Sequence, residues 1–297
     1  MTEIKPEFKQ KWLEQDMKPN WCPGCGNFSL LKALTMALAE LELNPENVVI
    51  ASGIGCSSNF PHFTPAYGLH AVHGRALPAA TGVHMSNPHE LKVIAVGGDG
   101  DGYGIGLNHF IHSCRRNLNM TYLVMNNQIY GMTKGQSSPT SQIGHVTATS
   151  PEGVNVPPVN PITLAISAGA TFVGRGYSGN PSHLQELILK AVNHEGFAFV
   201  DVLSPCVSMN KLNTLKWYKE RVYELEETNH DIKNRAAALT KGLEWGEKIP
   251  IGVYYQTKDL LPMHKVDPVT KENNPSKTPL GFKAMGIPPE EVFKEFK

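Results

Sequence analysis

The chain has 297 residues, enough for one large domain or two modest ones. Its 27 basic and 27 acidic residues balance, which argues against a broad nucleic-acid or membrane-surface footprint. The apolar runs are far shorter than the roughly 20 residues that cross a bilayer, and residues 1–20 are too polar for a secretory signal. We therefore expect a cytoplasmic protein whose five cysteines are metal ligands or reduced thiols rather than disulfides.

Strands and helices are predicted to alternate along most of the chain. Residues 1–20 are charged and have no clear period, so we expect an arm that lies on a partner. Leucines at three- and four-residue spacing predict a helix that Asn27 caps and that ends before Asn44. The predicted strands are 48–51, 93–96, 121–125, 171–174, 197–203 and 251–255. The other predicted helices are 77–83, 104–116, 162–168, 181–194, 215–227 and 232–242.

This alternation predicts an α/β fold with a doubly wound, mainly parallel sheet. We expect an N-terminal arm at 1–20, a binding domain at 21–210 and a C-terminal extension at 211–297. The extension has too little apolar content for a core of its own, so we expect it to pack on a partner subunit. Residues 128–161 are rich in Gly, Ser, Thr and Pro, and a loop of this length inside a compact domain is usually functional.

The stretch 93–133 combines two predicted strand ends with polar residues. The first strand runs into the sequence GGDGDG, which begins at Gly97, and the second runs into NNQI, which begins at Asn126. Asp99 and Asn127 are 28 positions apart (127 − 99), about one βαβ unit, so the crossover brings both to one edge of the sheet. A carboxylate and an amide suit Mg²⁺, and glycines let backbone N–H groups approach a diphosphate closely.

Four of the five cysteines indicate a metal centre. Cys22 and Cys25 form a CxxC pair, which by itself is ambiguous among zinc, thiol redox chemistry and an iron–sulfur cluster. Cys56 and Cys206 each follow a predicted strand at the same edge of the sheet. This convergence favours a four-thiolate site, either tetrahedral zinc or a [4Fe–4S] cluster. Cys114 falls within a predicted helix and is interpreted as a small buried apolar residue.

The pairing of GDG with NN at this interval resembles the thiamine diphosphate motif of the thiamine-dependent enzymes. The longer string YGMTKGQSS, which begins at Tyr130, is similar to the β subunits of 2-oxoacid:ferredoxin oxidoreductases. CPGCG, GIGCS and the late cysteine match the same subunits. The resemblance covers roughly residues 21–206. It implies the thiamine diphosphate-binding fold, and within it the domain that binds the diphosphate.

The resemblance also implies roles for individual residues. Asp99, Asn127 and the carbonyl of Ile129 would hold Mg²⁺. The four ligands of one [4Fe–4S] cluster would be Cys22, Cys25, Cys56 and Cys206. The residues implied to line the diphosphate and thiazolium are Ile54, Gly55, Cys56, Ser57, Gly98, Gly100, Asp101, Gly131 and Met132. His73 is a candidate for contacting the diphosphate or the reacting groups, and it fits equally well as a loop histidine bonded to backbone.

The implied reaction is coenzyme A-dependent oxidative decarboxylation of a 2-oxoacid to an acyl-CoA and CO₂, in either direction. Electrons would pass singly through the cluster to ferredoxin. Thiamine enzymes also need a glutamate against the aminopyrimidine ring, normally from a separate pyrimidine-binding domain. We expect an α subunit to supply that domain and its glutamate, in an αβ heterodimer or an (αβ)₂ assembly. Overall likeness favours 2-oxoglutarate over pyruvate or a broad range of 2-oxoacids.

Two other interpretations stay open at this point. The first is a non-redox thiamine diphosphate decarboxylase or carboligase subunit whose cysteines hold structural zinc. The second is a non-catalytic assembly subunit, stabilised by zinc, in which the glycine-rich turns bind no cofactor.

Overall fold

One central sheet organises the fold. The computed structural model describes residues 4–14, 17–277 and 289–294. The strands are β1 (Val48–Ser52), β2 (Tyr67–His70), β3 (Lys92–Gly98), β4 (Met120–Asn126), β5 (Phe172–Tyr177), β6 (Phe197–Leu203), β7 (Val222–Glu224) and β8 (Ile249–Gln256). Their order in the sheet is β2-β1-β3-β4-β6-β5-β8-β7. Neighbouring strands run parallel, except for the antiparallel pair β5 and β8.

Helices cover both faces of this sheet. The helices are α1 (Pro6–Leu13), α2 (Asn27–Glu40), α3 (Ala76–Ser86), α4 (Leu107–Arg116), α5 (Pro161–Ala168), α6 (Pro181–Asn193), α7 (Leu215–Lys219), α8 (Arg235–Gly242), α9 (Met263–Val266) and α10 (Pro289–Lys294). Helices α2 and α6 enclose one apolar core against the sheet, and α3, α4, α5 and α8 enclose the other. The predicted α/β fold with a doubly wound, mainly parallel sheet is confirmed.

The central strands are recognisable in sequence because both of their faces are covered. Every residue of β1, β4 and β6 is buried, so these strands consist of nearly continuous apolar runs. Helix starts are marked as well. The side chains of Asn160 and Asn180 accept the backbone N–H of Thr163 and His183, and a proline follows each asparagine. No helix in the described ranges is long and apolar enough to cross a membrane.

Strand β2 is absent from the sequence prediction, which treats the region after Phe60 as loop. All four of its residues are exposed, and it lies at one edge of the sheet. It therefore lacks the apolar alternation that marks a half-buried strand. Its partner β1 supplies the pairing that makes it a strand.

Residues beyond 210 also join the sheet. The predicted helix 215–227 is wrong beyond Lys219, because β7 and a short 3₁₀ turn follow α7. Strand β8 pairs with β5, and β7 pairs with β8. Part of the expected C-terminal extension therefore completes the central sheet. Residues 278–288 and 295–297 of the expected tail lie outside the described residues.

In the described part of the N-terminal arm, helix α1 packs on this chain, and the predicted contact of the arm with a partner stays a prediction. Helix α1 lies against α2, and Trp12 is completely buried. The indole N–H of Trp12 donates to the carbonyl of Leu43 at 2.7 Å. Lys5 and Glu42 form an ion pair at 2.6 Å.

A buried ion pair joins two neighbouring strands beneath the carboxyl edge of the sheet. Arg175 of β5 and Asp201 of β6 are register partners, and Arg175 Nε donates to Asp201 Oδ2 at 3.0 Å. Both side chains are at most 2% exposed. Asp201 Oδ1 accepts the Tyr103 hydroxyl at 2.9 Å and the Asn126 amide at 3.1 Å. The aspartate is thus fully engaged on both oxygens.

Replacing Asp201 by asparagine is expected to lower the free energy of unfolding by about 3–5 kcal/mol, because Arg175 would keep its charge without a buried counter-ion. Urea unfolding followed by tryptophan fluorescence measures the change. Glu220→Gln is the control, since Glu220 is exposed and its pairs with Lys216 at 4.0 Å and Arg221 at 3.4 Å are open to solvent; it is expected to cost less than about 1 kcal/mol. Equal losses in the two variants would contradict the prediction.

Candidate functional site

A cavity of about 460 Å³ opens where β1, β3 and β4 end. Ligands of open α/β sheets bind at this carboxyl edge. The lining residues are Ile54, Gly55, Cys56, Ser57, His73, Gly98, Asp99, Gly100, Asp101, Asn127, Ile129, Tyr130, Gly131, Met132, Thr133 and Gln136. The structure therefore brings together all the residues implied to bind magnesium and thiamine diphosphate. Their individual roles stay predictions.

The turn after β3 passes under Tyr130, and glycine is required at the point of contact. A Cβ at Gly100 would lie 2.1 Å from the Tyr130 ring, and the Tyr130 hydroxyl donates to the Gly100 carbonyl at 3.0 Å. The chain from Gly100 to Ile105 forms a wide π-helical turn, a feature that is frequent at functional sites. Gly55 has a φ of +126°, which side-chain-bearing residues rarely adopt. Gly55 and Gly100 both line the cavity, and glycine backbone of this kind lets N–H groups approach a diphosphate.

Asp99 directly follows β3 and is 2% exposed. Its Oδ2 accepts the hydroxyls of Ser138 at 2.5 Å and Thr140 at 2.7 Å. Burial raises the pKa of Asp99 to about 6, and these hydrogen bonds oppose that rise. A divalent cation beside the carboxylate would offset the cost of burying its charge. The donor set at this point therefore fits Mg²⁺.

The turn after β4 carries Asn127 and Ile129, and the residue between them is left-handed. Gln128 has a φ of +58° and is buried, and its carbonyl accepts the Ser141 hydroxyl at 2.7 Å. Asn127 Oδ1 accepts the backbone N–H of Ile129 at 3.1 Å. A left-handed non-glycine residue is uncommon and is retained where surrounding contacts hold it. The turn therefore has one defined shape at the cavity.

Asp101 ties three loops together. Its Oδ1 accepts the backbone N–H groups of Ile54 at 2.9 Å and Gly74 at 2.8 Å, and its side chain is 1% exposed. His73 Nδ1 lies 3.0 Å from the same oxygen, but the angles are not those of a hydrogen bond. The His73 side chain is 39% exposed and lines the cavity. Asp101 thus fixes the relative positions of the loops that carry Ile54 and Gly74, and His73 is left accessible to a ligand.

Four cysteines gather beside the cavity. The thiols of Cys22, Cys25, Cys56 and Cys206 are all reduced, and Cys25 is close enough to the other three for their charges to act on it. Burial raises the pKa of the Cys25 thiol to about 11 and also raises that of Cys56. Bound iron or zinc would favour the thiolate instead. Cys114 is completely buried in α4, apart from this group.

Trp21 joins the CxxC turn to the turn that carries Cys56. Its indole N–H donates to the Cys56 carbonyl at 2.6 Å, and its ring packs among Phe28, Phe60 and Phe63. Aromatic packing of this kind makes the relative placement of the two turns rigid.

Two kinds of metal centre could use these four thiols. Within the described part of the chain, no three His, Cys, Asp or Glu side chains converge on a single metal ion. Tetrahedral zinc draws its four thiolates to about 2.3 Å from one ion. In a [4Fe–4S] cluster each thiolate binds a different iron, so the sulfurs stand further apart. Both four-thiolate interpretations, tetrahedral zinc and a [4Fe–4S] cluster, therefore stay open at this group.

Three hydroxyls behind the site cannot be identified from the sequence. Ser138, Thr140 and Ser141 are buried and contact the turns after β3 and β4. In the sequence Ser138 is only the last residue of the YGMTKGQSS string, and Thr140 and Ser141 are only part of a loop rich in Ser and Thr. Tyr130 begins the YGMTKGQSS string, but its contact with Gly100 depends on the fold.

The fold and the glycine-lined cavity define a thiamine diphosphate-binding domain. A family model for the C-terminal TPP binding domain of thiamine pyrophosphate enzymes matches residues 50–202. A second model, for the C-terminal part of the pyruvate ferredoxin oxidoreductase beta subunit, matches residues 206–272.

Individual relatives narrow this class. The chain is 48% identical to 2-oxoacid:ferredoxin oxidoreductase subunit beta of Sulfolobus sp, over 83% of this chain and 84% of the relative. It is 39% identical to 2-oxoglutarate synthase subunit KorB of Methanocaldococcus jannaschii, over 72% and 83%. A solved 2-oxoglutarate:ferredoxin oxidoreductase from Magnetococcus marinus has a TM-score of 0.84 and 36% identity, over 100% of this chain and 98% of that one. The chain belongs to the β subunits of the 2-oxoacid:ferredoxin oxidoreductases.

Proposed function

We propose that this chain carries the diphosphate half of a coenzyme A-dependent 2-oxoacid oxidising site, together with a [4Fe–4S] cluster that passes electrons to ferredoxin. The observation that supports this most is that the cavity and the group of four cysteines adjoin each other. Cys56 lines the cavity, and a Cβ at Gly131, another lining residue, would lie 3.2 Å from Cys206 Sγ. A one-electron acceptor next to the cofactor suits an oxidation whose electrons leave singly.

The residues of the cavity have distinct tasks in this proposal. Asp99, Asn127 and the Ile129 carbonyl hold Mg²⁺, which neutralises the diphosphate. The residues around Ile54–Ser57, Gly98–Asp101 and Gly131–Met132 border the cofactor. His73 contacts the diphosphate or the reacting groups from the accessible side. When bound, thiamine diphosphate supplies the stabilisation of the carbanion left by decarboxylation.

A partner α subunit completes the site. None of the described residues that line the cavity is a glutamate, although thiamine chemistry needs one against the aminopyrimidine ring. Ile54 and Met132 line the cavity and are 38% and 49% exposed, so an apolar surface at its mouth is free to be covered. We therefore propose an αβ unit, alone or doubled, in which the α subunit supplies the glutamate and the extension beyond residue 210 packs on it.

2-Oxoglutarate is the proposed substrate. The solved relative from Magnetococcus marinus, which this chain matches over its whole length, was determined with 2-oxoglutarate, coenzyme A and succinyl-CoA bound. Relatives from Sulfolobus sp and Aeropyrum pernix carry the broader name 2-oxoacid:ferredoxin oxidoreductase. Pyruvate is therefore the competing substrate that an assay has to include.

Anaerobic assays of the co-purified αβ complex test this function. We expect viologen reduction to need both coenzyme A and a 2-oxoacid, with the highest kcat/KM for 2-oxoglutarate among 2-oxoglutarate, pyruvate and 2-oxobutyrate. A preference for pyruvate would overturn the substrate, and reduction without coenzyme A would overturn the reaction. Full activity of the isolated chain would contradict the need for an α subunit.

A further inference from the structure

Three buried hydroxyls lie directly behind the proposed magnesium site. Ser138, Thr140 and Ser141, here called the hydroxyl clamp, belong to the long loop after β4 and are at most 8% exposed. Ser141 Oγ accepts the backbone N–H of Ser138 at 2.8 Å, so the clamp is a closed turn. Buried hydroxyls need partners, and those of the clamp lie on the two turns that carry Asp99 and Asn127.

Each hydroxyl has a defined partner. Ser138 and Thr140 both reach Asp99 Oδ2, at 2.5 Å and 2.7 Å. Ser141 donates to the carbonyl of Gln128 at 2.7 Å. Gln128 is the left-handed residue between Asn127 and Ile129, so this bond holds the backbone from which both of them project.

We propose that the hydroxyl clamp positions the magnesium ligands and thereby sets the preference of the site for Mg²⁺. Two donors on Oδ2 prevent the carboxylate of Asp99 from rotating and leave its Oδ1 for the cation. The bond to Gln128 holds Asn127 and the Ile129 carbonyl at the same time. The inference rests on the proposed function, because it requires the Mg²⁺–diphosphate site.

The clamp is itself anchored in the core. Thr140 Oγ1 lies 2.9 Å from Asn126 Oδ1, and the amide of Asn126 donates to Asp201, the buried partner of Arg175. Thr140 has a single proton, and the carboxylate of Asp99 is a stronger acceptor than the amide oxygen of Asn126. The proton of Thr140 therefore goes to Asp99, and the contact with Asn126 places the clamp beside a polar chain that spans three adjacent strands, with Arg175 on β5, Asp201 on β6 and Asn126 on β4.

A comparison of Mg²⁺ with Ca²⁺ distinguishes positioning of the metal ligands from general support of the fold. Mg²⁺ demands near-ideal octahedral geometry, whereas Ca²⁺ accepts flexible geometry and more ligands. Loss of the clamp should therefore weaken cofactor binding in Mg²⁺ much more than in Ca²⁺. A variant that only loosened the loop would weaken both equally.

The test uses the αβ complex, stripped of cofactor and metal and then incubated with thiamine diphosphate over a range of Mg²⁺ or Ca²⁺ concentrations. Retained cofactor is measured after gel filtration by oxidation to fluorescent thiochrome. We expect Thr140→Val and Ser138→Ala each to raise the half-saturating Mg²⁺ concentration about tenfold or more, the range for residues that orient metal ligands. The shift in Ca²⁺ should be several-fold smaller.

Two variants serve as matched controls. Thr147→Val removes a buried hydroxyl in the same loop that has no hydrogen-bond partner among the described residues, and it should leave both ion dependences within about twofold. Thr140→Ser keeps the hydroxyl and should restore the wild-type Mg²⁺ dependence. Thermal unfolding of each complex identifies any variant that fails to fold, and Ser138→Ala then carries the test if Thr140→Val is lost.

The outcomes separate the two proposals. If the wild-type complex retains cofactor in Mg²⁺ but the clamp variants match it, or shift equally in both ions, the clamp has no positioning role. If the wild-type complex retains no thiamine diphosphate at any Mg²⁺ concentration, the proposed function itself fails and the clamp inference fails with it.

Discussion

Replacing Asp99 by asparagine is expected to lower Mg²⁺-dependent affinity for thiamine diphosphate about a hundredfold or more. Asparagine keeps the shape of the side chain and an acceptor for Ser138 and Thr140, but it removes the negative charge. Mg²⁺ sites in proteins depend on one or two carboxylates, and Asp99 supplies the one that directly follows β3. Loss of this charge should therefore remove most of the cation affinity. The measurement is retention of thiamine diphosphate by the αβ complex across Mg²⁺ concentrations.

The control for this variant is Asp259→Asn, which changes an exposed aspartate beyond β8 by the same chemistry. It should bind cofactor as the wild type does. Unchanged affinity in Asp99→Asn would contradict the assignment of Asp99 as a magnesium ligand. It would not by itself remove thiamine diphosphate from the cavity, because the glycine-lined backbone would still be available to it.

Replacing Cys56 by serine is expected to abolish the cluster and, with it, electron transfer. Iron and acid-labile sulfide should fall from about four each per chain to near zero, and the broad visible absorbance should disappear. Because Cys56 lines the cavity but the magnesium candidates lie on other turns, thiamine diphosphate should still bind. Viologen reduction should fall at least about a hundredfold. The measurements are iron and sulfide analysis, visible absorbance and cofactor retention on anaerobically purified complex.

Cys114→Ala is the matched control, because Cys114 is buried in α4 away from the four gathered thiols. It should keep full iron and sulfide content. Stoichiometric zinc without iron in the wild-type complex would contradict the cluster and restore the structural-zinc interpretation. Iron that persists in Cys56→Ser would show that another group supplies the fourth ligand.

Local sequence signals predict the central part of the sheet well. Strands β4 and β6 are buried on both faces, so their apolar runs are continuous and bounded by polar turns. The same signals miss β2, whose residues are all exposed, and misjudge 215–227, where a helix and a short strand share one charged segment. In both places the structure depends on pairing with a distant strand, β1 or β8.

One part of the candidate site can likewise be predicted from the sequence, and another part cannot. Asp99, Asn127 and Cys56 follow strands that can be recognised in sequence, and parallel strands bring such residues to one edge of the sheet. The hydroxyl clamp follows no strand. A residue in a loop of about thirty positions is free to return to many places, so no local rule assigns Ser138 and Thr140 to Asp99.

By itself, the sequence determined the α/β class, the two polar turns and the four cysteines, because short-range periodicity and motif spacing carry that information. Only the tertiary structure decided that the clamp returns beneath Asp99 and that Arg175 faces Asp201 across two strands. The antiparallel pairing of β8 with β5 is likewise visible only in the tertiary structure. These contacts join residues far apart in the chain, and they form because buried charges and hydroxyls must find partners once the core has closed.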